Sequence, residues 1–219
     1  MTPCDLVIWG ASGHATVVAD AIRLRNEYRI VGYLDDIDSA RRDFGGASVL
    51  GGREQLPKLF AAGVRCCFVA VGDCEARIRL ARLAAEAGFQ FATVVHPTAT
   101  ASAEATIGEG SFLGAGSVLG PCSRIGPQVI LNTQAGVDHH CTLGKGAHLA
   151  PGSRIAGGVT IGQGTFLGIG SCVADHKTIG EFTIVGAGSV VVNDLPDRCV
   201  ALGVPARVVR RRVGTEVDS

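Results

Sequence analysis

The chain has 219 residues, enough for one large domain or two small ones. Twenty basic residues balance twenty acidic ones, so no electrostatic argument favours nucleic acid or an anionic membrane. Hydrophobic residues make up 47%, yet no charge-free apolar run approaches the ~20 residues of a membrane helix, which argues against membrane insertion.

Met1-Thr-Pro-Cys-Asp5 lacks a basic segment, apolar core and cleavage site, so no signal peptide is expected. The eight cysteines (4, 66, 67, 74, 122, 141, 172 and 199) form no CxxC pair and no zinc-ribbon spacing. Free thiols and a cytoplasmic protein are the expectation.

Leu6-Val-Ile-Trp9 suits a buried parallel strand. It runs into Gly10-Ala-Ser-Gly13-His14 and a helix over residues 15–25, with Val18 and Ile22 on one face. Strand, glycine turn and helix can cradle a phosphate, because glycine lets the backbone approach and the helix start offers free N–H groups. The pattern is GxxG rather than GxGxxG, and a ligand-free turn has the same signature. Gly10, Ser12, Gly13 and His14 are the candidates there. A second strand over 29–34 ends in Asp35-Asp36, where a Rossmann-type site meets a ribose or base; a solvated turn reads the same way. A short helix over 53–62 with Pro57 near its start and a strand over 65–71 follow. Next come a helix over 75–88, with Ala76, Leu80, Leu83, Ala84 and Ala87 sharing a face, and a strand over 91–95. This order predicts a half-Rossmann α/β domain over residues 1–97, with His96-Pro97 as a joint.

From residue 101 to 190 the chain repeats in sixes, as in Ile107-Gly-Glu-Gly-Ser-Phe and Leu113-Gly-Ala-Gly-Ser-Val. A hexapeptide period predicts a parallel β-helix. The first residue of each word is apolar and the fifth small, so these two point inward, and the glycine-rich positions make corners. Three words make a coil, and five coils spaced like paired strands stand roughly 24 Å tall. Residues 98–203 are assigned to this prism and 204–219 to a basic tail, with 214–219 a loose end.

The Gly-Ala-Ser-Gly-His turn, Asp35-Asp36, His96-Pro97, the hexads and Gly203-Val-Pro-Ala-Arg207 together resemble one group of hexapeptide acyltransferases. These are the bacterial nucleotide-sugar acetyltransferases that make N-acetylated bacillosamine or perosamine, with sialic acid O-acetyltransferases as relatives. The resemblance implies a left-handed all-β parallel β-helix after the α/β domain, acetyl-CoA as co-substrate with no metal required, and a homotrimer.

Three of the six histidines fall together: His139, His140 and His148. Acetyl transfer from a thioester to an amine needs a base for the attacking nitrogen, and an imidazole suits that task near neutrality. The resemblance gives this role to His139. It usually places Asp or Glu next; here His140 stands there, and Asp138, on the other side, is expected to point away. His139 then leans on a backbone carbonyl or another chain, and His140 is itself a candidate catalytic residue. By the same resemblance His148 contacts acetyl-CoA, the Gly157 N–H binds the thioester oxygen, and Ile169 and Ala187 line the pantetheine groove. Corner geometry alone also accounts for small residues at such positions. Asn132 replaces a corner glycine and is a candidate for the sugar. Arg207 suits a CoA phosphate. Cys141 falls at an inward position and is not expected to act as a nucleophile, and His176 reads as a solvated turn.

The leading expectation is an acetyl-CoA-dependent N-acetyltransferase acting directly on a nucleotide-linked 4-amino-4,6-dideoxy sugar. The alternatives are a sugar O-acetyltransferase, a zinc hydratase of γ-carbonic-anhydrase type using His139, His140 and His148, and a non-catalytic scaffold.

Overall fold

The computed structural model describes residues 3–212; the segment 214–219 lies outside them. The N-terminal unit is a six-stranded sheet with three helices. Its strands are β1 (Cys4–Trp9), β2 (Tyr28–Leu34), β3 (Asp43–Phe44), β4 (Ala47–Gly51), β5 (Cys66–Val69) and β6 (Gln90–Phe91). The helices are α1 (Gly13–Arg25), α2 (Leu56–Ala61) and α3 (Cys74–Glu86). The strand order is β3-β4-β2-β1-β5-β6. β1 lies in the middle, parallel to β2 and β5, and Leu6 to Trp9 are all buried. An unbroken apolar run fits a strand covered on both faces.

Several local expectations shift. The sequence reading has no strand between Leu34 and Arg53. The structure has a β3–β4 hairpin turning at Gly45-Gly46, both with positive φ, whose second strand extends the sheet beside β2. The helix expected over 53–62 begins as a 3-10 turn, Arg53–Gln55, and Pro57 sits in the first turn of α2, where its missing N–H costs nothing. The buried stripe of α3 is Cys74, Arg77, Leu80, Ala81 and Ala84, rotated from the expected one because α3 packs against the repeat region as well as the sheet. The strand expected over 91–95 is two. Gln90–Phe91 completes the sheet, and Val94–Val95 already belongs to the repeat, pairing with Phe112–Leu113.

The repeat forms a left-handed parallel β-helix, a prism with three sheets as faces. It starts one word earlier than residue 101, at Val95, and ends one word later than Val185, at Val191. Its first face stacks Val94–Val95, Phe112–Leu113, Ile130–Leu131, His148–Leu149, Phe166–Leu167 and Ile184–Val185. The second stacks Thr100–Ala101, Val118–Leu119, Gly136–Val137, Arg154–Ile155, Cys172–Val173 and Val190–Val191. The third stacks Thr106–Ile107, Arg124–Ile125, Thr142–Leu143, Thr160–Ile161 and Thr178–Ile179. From Leu113 to Val191 every first-position aliphatic is buried, and so is the fifth position from Ser111 to Ser189 except Lys177. Each buried aliphatic contributes about 1.5–3 kcal/mol.

The glycines divide into two kinds. Only the fourth residue of a word adopts left-handed backbone, as at Gly110, Gly152 and Gly188, and there Gly is the cheap choice. Second-position glycines have ordinary φ and are small because coils touch: a Cβ on Gly120 would stand 2.8 Å from the Asp138 carbonyl carbon.

The faces differ in their outward residues. Phe112 and Ile130 of the first face join the core of the N-terminal unit, together with Leu6, Ile8 and Phe68. The third face presents exposed Thr106, Arg124, Thr142, Thr160 and Thr178. The second is mixed, with Val118, Gly136, Arg154 and Cys172.

Arg77 fastens the two units. Its buried guanidinium donates to the carbonyls of Val71 and Gly72 (2.8 and 3.1 Å) in the first unit, and of Gln128 and Gly146 (2.9 and 2.7 Å) in the prism. At the far end, Cys199–Gly203 extends the first face and Ala206–Arg211 folds back on it, after a cis Val204–Pro205 bond. Arg212 then pairs with Glu75 at 2.7 Å.

Candidate active site

His139 stands in the turn that leaves the second face and enters the third, between Gly136–Val137 and Thr142–Leu143. Its main-chain N–H donates to Asp138 Oδ1 (2.8 Å), so that carboxylate anchors the backbone and not the ring. The ring leans instead on two partners. Its Nδ1 lies 3.0 Å from His140 Nδ1, with the two rings edge-to-face. Its other side covers Gly157 in the next coil, where a Cβ would stand 2.7 Å from Nε2. Among the described residues the ring's polar neighbour is therefore His140 and not a backbone carbonyl. The Gly158 N–H donates to the His139 carbonyl (2.9 Å), while among the described residues no hydrogen bond engages the Gly157 N–H. His139 and His140 are exposed, and Cys141 beside them is buried, where burial raises its thiol pKa.

A groove of about 600 Å³ runs along the second face to this turn, lined by Pro121, Asp138, Arg154, Ala156 and Cys172. His176 belongs to the same edge and is an exposed turn residue, as the sequence reading has it. Its ring lies over Gly158, where a Cβ would stand 2.5 Å from Nδ1. A spacing of eighteen residues, 158 to 176, is the sequence signal of that stacking.

A second group gathers on the first face. His148 is 6% exposed, and its Nδ1 donates to the Gly72 carbonyl (3.0 Å). Its Nε2 lone pair therefore faces the Asn132 amide at 3.3 Å. The His14 ring stands edge-on to Phe112, 6.2 Å from the His148 ring, and its buried Nε2 has no hydrogen-bond partner among the described residues. Burial first, then the Arg77 charge, lowers the pKa of His14 to about 4 and of His148 to about 3; the Gly72 bond works against the second shift. A cavity of about 390 Å³ opens beside His148, between Gly72–Glu75 and Phe166.

The remaining candidates sit as follows. Gly10 has φ +118°, and a Cβ there would stand 2.7 Å from the Ala70 carbonyl oxygen, so this tight turn requires glycine; nothing crowds Gly13, and Ser12 is exposed. Asp35 accepts the N–H groups of Ile37 and Asp38 and pairs with Arg42 (3.2 Å). Asp36 accepts the Arg53 N–H (2.7 Å) and pairs with its guanidinium (2.9 Å). Both carboxylates therefore shape their own loop. Ile169 and Ala187 follow first-face strands, so they share the edge of Asn132 and not that of His139. Arg207 lies on the exposed final strand.

The structure brings together His139, His140 and Gly157, and separately His14, Asn132 and His148. It does not bring the two groups together within one chain. The first face carries one, and the opposite edge carries the other, with the prism interior between them. The three-histidine zinc set is split the same way.

A hexapeptide prism with an exposed imidazole at its edge, joined to a glycine-turn α/β unit, is the architecture of an acyltransferase with an N-terminal Rossmann-like domain. Residues 5–83 match the PglD N-terminal domain family. The chain is 43% identical to PerB from Caulobacter crescentus, solved with CoA and GDP-perosamine, over 93% of this chain and 96% of that one (TM-score 0.90). It is 33% identical to the acetyltransferase domain of PglB from Neisseria gonorrhoeae, over 94% and 99% (TM-score 0.88), which is also solved with acetyl coenzyme A. WeeI from Acinetobacter baumannii, at 21% identity and TM-score 0.69, shares the fold. The chain belongs to the nucleotide-sugar acetyltransferase family.

Proposed function

We propose that the protein transfers the acetyl group of acetyl-CoA to the amino group of a nucleotide-linked 4-amino-4,6-dideoxy sugar, with His139 as general base. The observation that carries this reading is the His139 ring packed on Gly157, whose N–H is free of internal bonds. A thioester carbonyl held by that N–H would bring its carbon beside the imidazole. The amine then loses a proton to His139 Nε2, attacks the carbonyl carbon, and the C–S bond breaks; the released thiolate takes up a proton. No acyl-enzyme is needed, consistent with the buried Cys141 thiol. The substrate pair is the one the relatives bind, and perosamine N-acetyltransferase was also solved with one histidine changed to alanine or asparagine.

In this reading the nucleotide lies at the Gly10–His14 turn and the Asp35-Asp36 loop, and the sugar reaches Asn132 and His148. Because these residues and His139 are on opposite sides of one prism, a complete site combines one chain's nucleotide unit with another chain's His139. A homotrimer closes that arrangement three times, with CoA between prisms against Ile169, Ala187 and Arg207. Location in the cytoplasm follows from its substrates. A thiol-release assay with acetyl-CoA against GDP-, UDP- and dTDP-linked 4-amino-4,6-dideoxy sugars tests the activity. Release with none of them, or only with hydroxyl acceptors, would overturn it.

A further inference from the structure

His140 shares its backbone cost with Cys122, Gln128, Gln134, His176 and Phe182, but its contact is with the candidate base. It occupies the fourth position of its word with φ +56°, left-handed backbone that an L side chain adopts at a penalty. Eight of the equivalent positions, including Gly146 and Gly152 in the next two words, are glycine. The backbone at 140 is thus better served by glycine, and whatever favours histidine there lies in its side chain. That side chain has one polar contact among the described residues, the 3.0 Å approach of its Nδ1 to His139 Nδ1.

Two ring nitrogens at that distance share one proton: one donates and the other accepts. The His139 atom nearest Gly157 is Cε1, with Nε2 2.7 Å and Nδ1 3.0 Å from a Cβ built there; since Nδ1 is engaged by His140, Nε2 is the nitrogen left to meet substrate. For Nε2 to accept a proton it must hold a lone pair, which in a neutral imidazole puts the hydrogen on Nδ1. The His139 Nδ1–H then donates to the His140 lone pair, and His140 carries its own hydrogen on Nε2, toward solvent. Asp138 accepts from the His139 main chain through Oδ1 and makes no hydrogen bond to the ring among the described residues.

We infer that His140 is a positioning residue for the base: its imidazole accepts the His139 Nδ1–H, fixes the tautomer in which Nε2 is free, and supports the imidazolium formed during transfer. This rests on His139 being the base.

The test uses His140→Gly, a change the backbone favours, so loss of activity cannot be laid to misfolding. The melting temperature should hold or rise. The kcat should fall on the order of 10²-fold with little change in either KM. His140→Glu, which restores an acceptor for the same proton, should recover most of the loss. Nitrogen-15 shifts of His139 should show Nδ1 protonated in the wild type and mixed tautomers in His140→Gly. Wild-type kcat in His140→Gly, or a glutamate variant no better than the glycine one, overturns the positioning role. His139→Asn is measured alongside: full activity there sinks base and positioner together, whereas its loss with an active His140→Gly sinks only the positioner.

Discussion

The imidazole of His139 occupies the space where a side chain on Gly157 would stand, one coil away. A Cβ there would approach Nε2 to 2.7 Å. Gly157 has no left-handed backbone to defend, so its smallness serves the ring. Gly157→Ala should leave folding intact and push the imidazole aside. Its kcat should drop at least about tenfold while the melting temperature changes little, since Gly157 is buried beneath the exposed His139 ring and the new methyl displaces that ring rather than core. A melting loss as large as that of a core mutant would show that the glycine is structural.

His139→Asn should keep the fold, because the ring is exposed, and should lower kcat by about 10²–10⁴-fold, the usual worth of a general base. Stopped assays of free CoA with saturating substrates measure it.

Arg77→Met should be severe for stability. It keeps the length of the stem and leaves carbonyls of both units without their donor. Each buried carbonyl left without its donor typically costs about 1–3 kcal/mol. Urea unfolding should show it, and the separation of the two units should appear as loss of a single transition.

Stability should fall with acid in a defined window. His14 and His148 are held neutral, with pKa values lowered to about 4 and about 3 from an unfolded value of 6.5. The unfolded chain therefore binds more protons below pH 6.5, and stability is intact above that pH. It declines as pH falls through 6 and 5 toward 4 and 3, by up to about 1.4 kcal/mol per unit for each histidine. Urea midpoints at pH 7.5 and 4.5 measure the slope, and His148→Gln should flatten it.

The period of six made the prism legible, because each inward position recurs without a slip from Leu113 to Val191. The stacking of His139 on Gly157 was implicit in their separation of eighteen, one coil. What a period of six conceals is which face is covered. Read in eighteens, the outward residues separate into Val94, Phe112, Ile130, His148, Phe166 and Ile184 against Thr106, Arg124, Thr142, Thr160 and Thr178. The apolar column is the covered one. The β3–β4 hairpin was hidden because its strands are short, two and five residues, and its pairing is set by the Gly45-Gly46 turn. Arg77 was hidden because a charged residue on a helix reads as solvent-facing; only the carbonyls of two separate prism turns, Gln128 and Gly146, make its burial possible.

The N-terminal unit covers one face of its prism, and His139 stands on the edge opposite. If the proposed site is shared between chains, catalysis would belong to the assembly and not to the chain, which has a genetic signature. A chain lacking His139 and a chain crippled at the Gly10–His14 turn, each inert alone, should restore activity when mixed and allowed to exchange subunits. Dilution should likewise lower specific activity before it melts any fold.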